Sequence, residues 1–132
     1  MPDREKAIRC AESFSYDAWA AQLRNFLGRG AESMIALEQK EKKYDVSAHK
    51  ARLEIILSHW EEIMEIIRKE LPTAAEVEKL LDVIGAPKTL EDIGVDAPFS
   101  MIFRATKDIR DKYVLSRFLW DLGILEEILG NM

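Results

Sequence analysis

Two histidines are the side chains of this sequence that come closest to a metal site or a general base. His49 and His59 lie ten residues apart on one predicted helix and point in different directions. A catalytic triad needs a histidine held beside a serine or cysteine and an orienting acid, so this spacing is a poor basis for one. A metal site would pair one histidine with neighbouring carboxylates such as Glu62. A lone histidine among carboxylates on a helix is more often an ordinary surface residue, and we predict that here.

The remaining candidate groups favour ordinary structural roles. Cys10 is the single cysteine, so it has no partner for a disulfide or a zinc pair, and we predict a half-buried helix residue rather than a catalytic thiol. The acidic pairs Glu61–Glu62 and Glu126–Glu127 are adjacent in sequence, which places the two side chains of each pair on different parts of a helix surface. We predict that they are solvated. We predict no catalytic, cofactor-binding or metal-ligating residue.

Charge and composition exclude several function classes. The chain has 19 basic and 24 acidic residues and a net charge of −5, which argues against a nucleic-acid-binding surface. Its densest basic cluster, Lys40 with Lys42 and Lys43, is interspersed with Glu38 and Glu41 and is predicted to be a solvated helix face. No apolar run is long enough to cross a bilayer, and the charged N-terminus does not resemble a secretory signal. We expect a cytoplasmic location and no membrane partner.

The elements that must position these groups are all helices. The apolar residues repeat with a period of about 3.6 and nowhere alternate over a strand-length segment. The 132 residues fit one domain able to bury a core without a disulfide or metal. The longest helix is predicted from Ser47 to Leu71. Trp19, Trp60 and Trp120 lie on three different segments and are predicted to anchor the core rather than to form a ligand site.

A short, tightly punctuated stretch follows the long helix. Pro72 is predicted to end that helix, and Thr73 with Glu76 forms the capping box of the next one. Gly85 supplies the left-handed residue that closes it. Thr89 with Asp92 repeats the cap for one short turn, which Gly94 ends. The predicted buried stripe of the helix between these caps consists of Val77, Leu80, Leu81 and Ile84.

The rest of the chain divides into further short helices. Pro98 is predicted to open one with Lys107, Asp108, Arg110, Asp111 and Lys112 on its charged side and Met101, Ile102, Ala105, Ile109 and Tyr113 on its inner side. Ser116 is predicted to cap a helix that ends at Gly123, and "ILEEIL" forms the last helix. Towards the N-terminus we predict a break near residues 13–15, a glycine break at "GRG", residues 28–30, and a helix over 31–43.

Two stretches resemble a known family: "HKARLEIILSHWEEIMEIIRKELPTAAEVEKLLDVIGAPKTLEDIGV" and "ATKDIRDKYVLSRFLWDLGILEEI". In length, order and spacing they are similar to the C-terminal helical domain of sn-glycerol-1-phosphate dehydrogenases, which belong to the iron-containing alcohol dehydrogenase and dehydroquinate synthase-like superfamily. The resemblance covers residues 49–130, and residues 1–48 are divergent helices within the same domain. It implies an all-α bundle of about five to seven helices.

The resemblance also implies a cofactor set that this chain does not match. The family reduces dihydroxyacetone phosphate with NAD(P) and a zinc or iron ion, and its nucleotide-binding domain precedes the helical one. Two histidines and an aspartate hold the metal. If "AESFSYDAW" replaces the first histidine stretch, Ser13 or Tyr16 stands at the ligand position, and in "LGRGAES" Arg29 stands before Gly30 where the second histidine belongs. A guanidinium stays protonated and has no lone pair for a metal ion.

Two hypotheses of function therefore stand side by side. In the first, the chain is a helical domain related to NAD(P)-dependent glycerol-1-phosphate dehydrogenase that does not catalyse alone, with neither NAD(P) nor zinc or iron bound by its own residues. In the second, it is an interaction or oligomerisation module that pairs with itself or with a separate nucleotide-binding subunit. A small-molecule pocket between helices is a third interpretation, for which the sequence singles out no residue.

Overall fold

A computed structural model describes residues 1–131, and within that range the chain is all-helical, as predicted, with no strand. The α-helices are α1 (Arg4–Glu12), α2 (Tyr16–Leu27), α3 (Ala31–Glu41), α4 (Val46–Ser58), α5 (Trp60–Glu70), α6 (Ala74–Ile84), α7 (Phe99–Thr106), α8 (Leu115–Asp121) and α9 (Leu125–Gly130). Short 3₁₀ turns cover Gly28–Gly30 and Glu91–Ile93. Both glycine-linked breaks that the sequence predicts are therefore present.

Helices α2 and α3 pack side by side around an aromatic cluster. Asp3 caps α1 and Ser15 caps α2, each accepting from a first-turn amide, which confirms the predicted break between them. The cluster buries Trp19 and Tyr44 with Leu23 and Ile35. Phe14 stacks on Tyr44 with ring centroids 3.8 Å apart. Trp120 packs against the same cluster from α8, so the predicted anchoring role of this tryptophan and of Trp19 is confirmed.

A second cluster joins α1, α4 and α8. It buries Ala7, Leu53, Ile56 and Leu122, and Trp60 packs against its edge as the third predicted anchor. The approach of α1 to the turn after α8 is close because Gly123 has no side chain. A Cβ at that position would meet the Ala7 Cα at 2.8 Å, and the φ of +68° there also favours glycine.

The predicted long helix from Ser47 to Leu71 is wrong in one respect, because it is two helices that meet at His59. Asp45 caps α4, which ends at Ser58, and α5 starts at Trp60. The Ser58 hydroxyl donates to the Ile55 carbonyl, the same oxygen that accepts from the His59 amide. Such side-chain competition for a helical carbonyl bends helices, and apolar periodicity alone does not reveal it.

The capped stretch that follows has the predicted backbone but not the predicted burial. Thr73 and Glu76 form the full capping box, and Gly85 and Gly94 take left-handed conformations. The stripe on α6, however, is largely exposed: Val77 39%, Leu80 59% and Ile84 64%. The prediction that this stripe is buried is wrong, because no other helix of residues 1–131 packs extensively against α6.

Helix α7 ends earlier than its charge pattern suggests, and this reverses two predictions. It stops at Thr106, so Lys107 and Asp108 lie in a turn that leads inward, where both are buried. The predicted inner residues Met101, Ile109 and Tyr113 are instead exposed, while Ala105 is buried as predicted. The predicted N-cap role of Ser116 is wrong, because Val114 occupies the N-cap position of α8 and Ser116 lies buried within the helix.

Candidate functional site

A fully bonded buried carboxylate lies at the centre of the molecule. Asp108 Oδ2 accepts from Trp19 Nε1 at 3.0 Å and from Lys107 Nζ at 2.5 Å. Its Oδ1 accepts from the Tyr44 hydroxyl at 2.6 Å and from Arg117 Nη2 at 3.1 Å. Four donors, two on each oxygen, therefore converge on one buried carboxylate.

The neighbours of Asp108 are ionisable groups held in apolar surroundings. Burial lowers the pKa of Lys107 below its ordinary value, with Asp108 opposing part of that shift. Burial also raises the pKa of the Glu38 carboxyl, whose Oε1 accepts from the Tyr44 amide at 3.0 Å. Glu38 is thus buried rather than part of the solvated face that the sequence predicts. The Tyr44 hydroxyl stays protonated, since burial and the Asp108 charge raise its pKa.

Arg117 connects this network to the aromatic cluster. Its guanidinium carbon lies 4.4 Å from the centroid of the Tyr44 ring and 5.1 Å from that of Trp120. The side chain is 3% exposed, and its Nε and Nη1 have no hydrogen-bond acceptor among the described residues. The Tyr44 and Trp120 rings stabilise the guanidinium charge from above its plane, whereas Nε and Nη1, which donate within that plane, find no acceptor there.

A second buried carboxylate, Asp121, holds the C-terminal part of α8 against α4. Arg52 donates to both of its oxygens, at 3.1 and 3.0 Å, and the Tyr113 hydroxyl donates to Oδ2 at 2.7 Å. His49 Nε2 donates to the Asp121 backbone carbonyl at 2.9 Å, since a carbonyl can only accept. The prediction that His49 is a surface residue is therefore wrong, because its side chain is completely buried.

The residues present do not fit the metal site that the resemblance implies. His59 is exposed and bonds Glu62, as predicted for a surface histidine. It follows the C-terminal end of α4, whereas His49 lies near the N-terminal end of that helix. Within residues 1–131 no three His, Cys, Asp or Glu side chains are placed to hold an ion. At the family's implied ligand positions, Ser13 Oγ donates to the Cys10 carbonyl, Tyr16 packs against the aromatic cluster, and Arg29 is exposed in a 3₁₀ turn beside Gly30.

Cys10 lies in α1 as predicted but is exposed rather than half-buried, because Ala7 and Ala11 take the inward positions of that helix.

Glu126 is exposed, as predicted, and both of its oxygens accept from Arg104, at 2.8 and 2.6 Å. This bidentate pair lowers the pKa of the Glu126 carboxyl.

A cavity of about 460 Å³ opens beside the Asp108 network, between α2 and α7. Its apolar wall includes Trp19, Leu23, Phe26 and Met101. Lys107 and Asp108 form its inner end, and Arg104 and Glu126 line it as well. Its volume is typical of small-molecule sites. The sequence could not single out this cavity because its polar end depends on the early stop of α7.

A different kind of candidate surface lies on residues 60–98, which we name the acidic arm. None of its residues is buried, although it is rich in large apolar side chains. Those exposed by more than half are Ile66, Leu71, Leu80, Val83, Ile84 and Ile93. The arm also has ten acidic and only four basic residues. An uncovered apolar surface edged by charge is typical of a protein-binding site.

Comparisons of this chain with protein-family models, curated proteins and solved structures gave no match. The structure itself adds one general finding. No helix among residues 1–131 is both long and apolar enough to cross a membrane.

Proposed function

We propose that this chain is a helical domain related to glycerol-1-phosphate dehydrogenases that acts by docking onto a separate subunit through the acidic arm and does not transfer hydride by itself. The observation that carries the proposal is the uncovered apolar face of α6. Val77, Leu80 and Ile84 follow one another at helical spacing and are all at least 39% exposed. Large apolar side chains in such a row are stabilised when a partner removes them from water.

Beyond Trp60 and Ile63, which pack against the second cluster, the arm holds its shape without a core, which suits a docking surface. The capping box at Thr73 and Glu76 starts α6, and left-handed glycines end α6 and the next turn. Asp92 accepts from the amides of Lys88 and Thr89, both at 2.9 Å. These local bonds order the backbone before any partner arrives, and a preformed surface loses less entropy on binding.

Charge selects the kind of partner. Acidic residues outnumber basic ones by ten to four in the arm, whereas the whole chain is only at −5, so the rest of the molecule is close to neutral. Two copies meeting through this surface would bring like charges together, which disfavours a symmetric dimer. The favoured occupant is a subunit with an apolar patch edged by lysine and arginine. The resemblance supplies a specific candidate, the nucleotide-binding domain of a glycerol-1-phosphate dehydrogenase.

Calorimetric titration of the chain with such a purified nucleotide-binding domain tests the docking. We expect saturable binding that Leu80→Asp weakens at least tenfold, since it would place a charge in an apolar contact. Leu115→Asp is the matched control, because Leu115 is 63% exposed on α8, outside the arm. Absence of binding, or equal effects of the two variants, would overturn the proposal. A dimer seen by light scattering and abolished by Leu80→Asp would reassign the arm to self-association.

A separate assay tests the catalytic half of the proposal. The purified chain, supplied with NADH or NADPH, dihydroxyacetone phosphate and zinc or ferrous ion, is expected to oxidise no cofactor. Cofactor oxidation that depends on both substrate and metal, and that follows this chain through purification, would contradict it. Comparison with the His49→Gln variant would then show whether His49 takes part.

A further inference from the structure

The cavity beside Asp108 has an unusual balance of hydrogen-bonding groups: both oxygens of each of its carboxylates already accept a hydrogen bond, while several of its donors are free. Each oxygen of Asp108 already accepts two hydrogen bonds. Both oxygens of Glu126 accept from Arg104. A cationic ligand would therefore have to compete with four existing partners at the first carboxylate and with a bidentate guanidinium at the second.

Several donors at the same cavity remain free. The Lys107 ammonium has three N–H groups and gives one to Asp108, although its side chain is only 5% exposed. Arg104 gives Nε and Nη2 to Glu126, and its Nη1 has no partner among the described residues. The side-chain amides of Gln22 and Asn25 line the cavity and make no hydrogen bond within residues 1–131.

We propose that this cavity binds a small molecule composed of a carboxylate attached to an apolar or aromatic body. The carboxylate accepts from Lys107 at the inner end, where the charge of the ammonium has little water around it. The body lies along Trp19, Phe26 and Met101. The volume of about 460 Å³ accommodates a single-ring compound with its carboxylate. The site does not overlap the acidic arm, so the proposal stands independently of the docking function.

A burial argument explains why a carboxylate is favoured over a neutral ligand. A lysine kept almost entirely from water loses hydration that one bond to Asp108 only partly replaces. A ligand carboxylate supplies acceptors for the spare N–H groups and opposes the burial effect that lowers the Lys107 pKa. A neutral alcohol of the same shape fills the apolar part of the cavity but supplies no charge.

Calorimetry with three matched probes tests the ligand class. Benzoate is expected to bind at least tenfold more tightly than benzyl alcohol, as the loss of a charge-assisted hydrogen bond implies. Benzylamine is expected not to bind at millimolar concentration. Equal affinities for benzoate and benzyl alcohol, preference for benzylamine, or no benzoate binding at millimolar concentration would each overturn the proposal.

Two variants locate the site. Lys107→Met keeps most of the side-chain length and leaves Asp108 with three donors; it is expected to lower benzoate affinity at least tenfold and to leave that of benzyl alcohol unchanged. Asn25→Asp places a negative charge at the exposed rim of the cavity without disturbing the core, and is expected to weaken benzoate several-fold. Asn131→Asp, outside the cavity, is the matched control. If the Asn25 and Asn131 variants bind benzoate equally well, the cavity is not the site.

Discussion

The molecule has two regions that solve the problem of folding in different ways. Around α1–α4, α8 and α9, the chain buries two apolar clusters and three carboxylates, of which Asp108 and Asp121 are each bonded by several side chains. The acidic arm buries no residue and is shaped by caps and turns between neighbours in sequence. The body is therefore specified by long-range contacts, and the arm by local ones.

The difference teaches where function can reside. The buried carboxylates of the body are bonded to other side chains: Asp108 alone accepts from four residues, up to 89 positions away. Trp60 and Ile63 at the start of the arm pack against the second cluster, but the large apolar side chains of α6 have no such contacts, although they have the same chemical character as those of the core. A surface that is ordered locally and left uncovered is available to a partner without unfolding anything.

Removal of the Asp108 carboxylate is the largest expected disturbance of the body. Asp108→Ala would leave Lys107 and Arg117 buried without their shared anion, which costs about 3–5 kcal/mol of the free energy of unfolding. Urea denaturation followed by circular dichroism measures it. Asp111→Ala, three residues further on and exposed, is the control and is expected to change stability by less than about 0.5 kcal/mol. If the two variants unfolded at the same urea concentration, the buried network would not stabilise the fold.

A pair of leucines compares the two regions directly. Leu53 is completely buried and Leu80 is 59% exposed. Leu53→Ala is expected to cost about 2–5 kcal/mol, because it removes buried surface and leaves a cavity. Leu80→Ala is expected to stay within about 0.5 kcal/mol, since alanine also favours the helix. Chemical denaturation of both variants checks this. A loss at Leu80 comparable to that at Leu53 would mean that α6 is packed in solution.

Sequence reasoning works well where a structural signal is local. The capping box of Thr73 and Glu76, the left-handed Gly85 and the break near residue 14 need only a few neighbouring residues to specify them, and all are found. The all-α class is confirmed on the same ground, because helical periodicity is a local property of the chain. The relation to glycerol-1-phosphate dehydrogenases stays a prediction.

Burial is the property that the sequence could not settle. The stripe on α6 has the period of a buried face, but whether something covers it depends on elements far away in the chain. The reverse holds at Lys107 and Asp108, which look like solvated charges in a charged run and yet are 5% and 4% exposed. Their burial depends on α7 ending at Thr106 and on donors from Trp19, Tyr44 and Arg117, of which the first two lie 89 and 64 residues from Asp108.

The pH dependence of stability is expected to show a smaller effect of the same network. Burial lowers the pKa of Lys107, so between that value and the ordinary 10.5 the unfolded chain binds more protons than the folded protein. The free energy of unfolding therefore rises with pH in this window through Lys107. Tyr44 and Tyr113 have raised pKa values, so they lower the free energy of unfolding as the pH rises, but only above about pH 10.

Urea titrations from pH 7 to 10 isolate this contribution when the protein is compared with Lys107→Met, which cannot titrate at that position. The free energy of unfolding of the original chain is expected to rise relative to that of the variant as the pH increases. Lys69→Met, at an exposed position in the acidic arm, is the control and should follow the original chain throughout. Parallel curves for all three proteins would show that Lys107 is hydrated in solution. The division between a body that buries charged residues through long-range contacts and an arm that buries none would then fail.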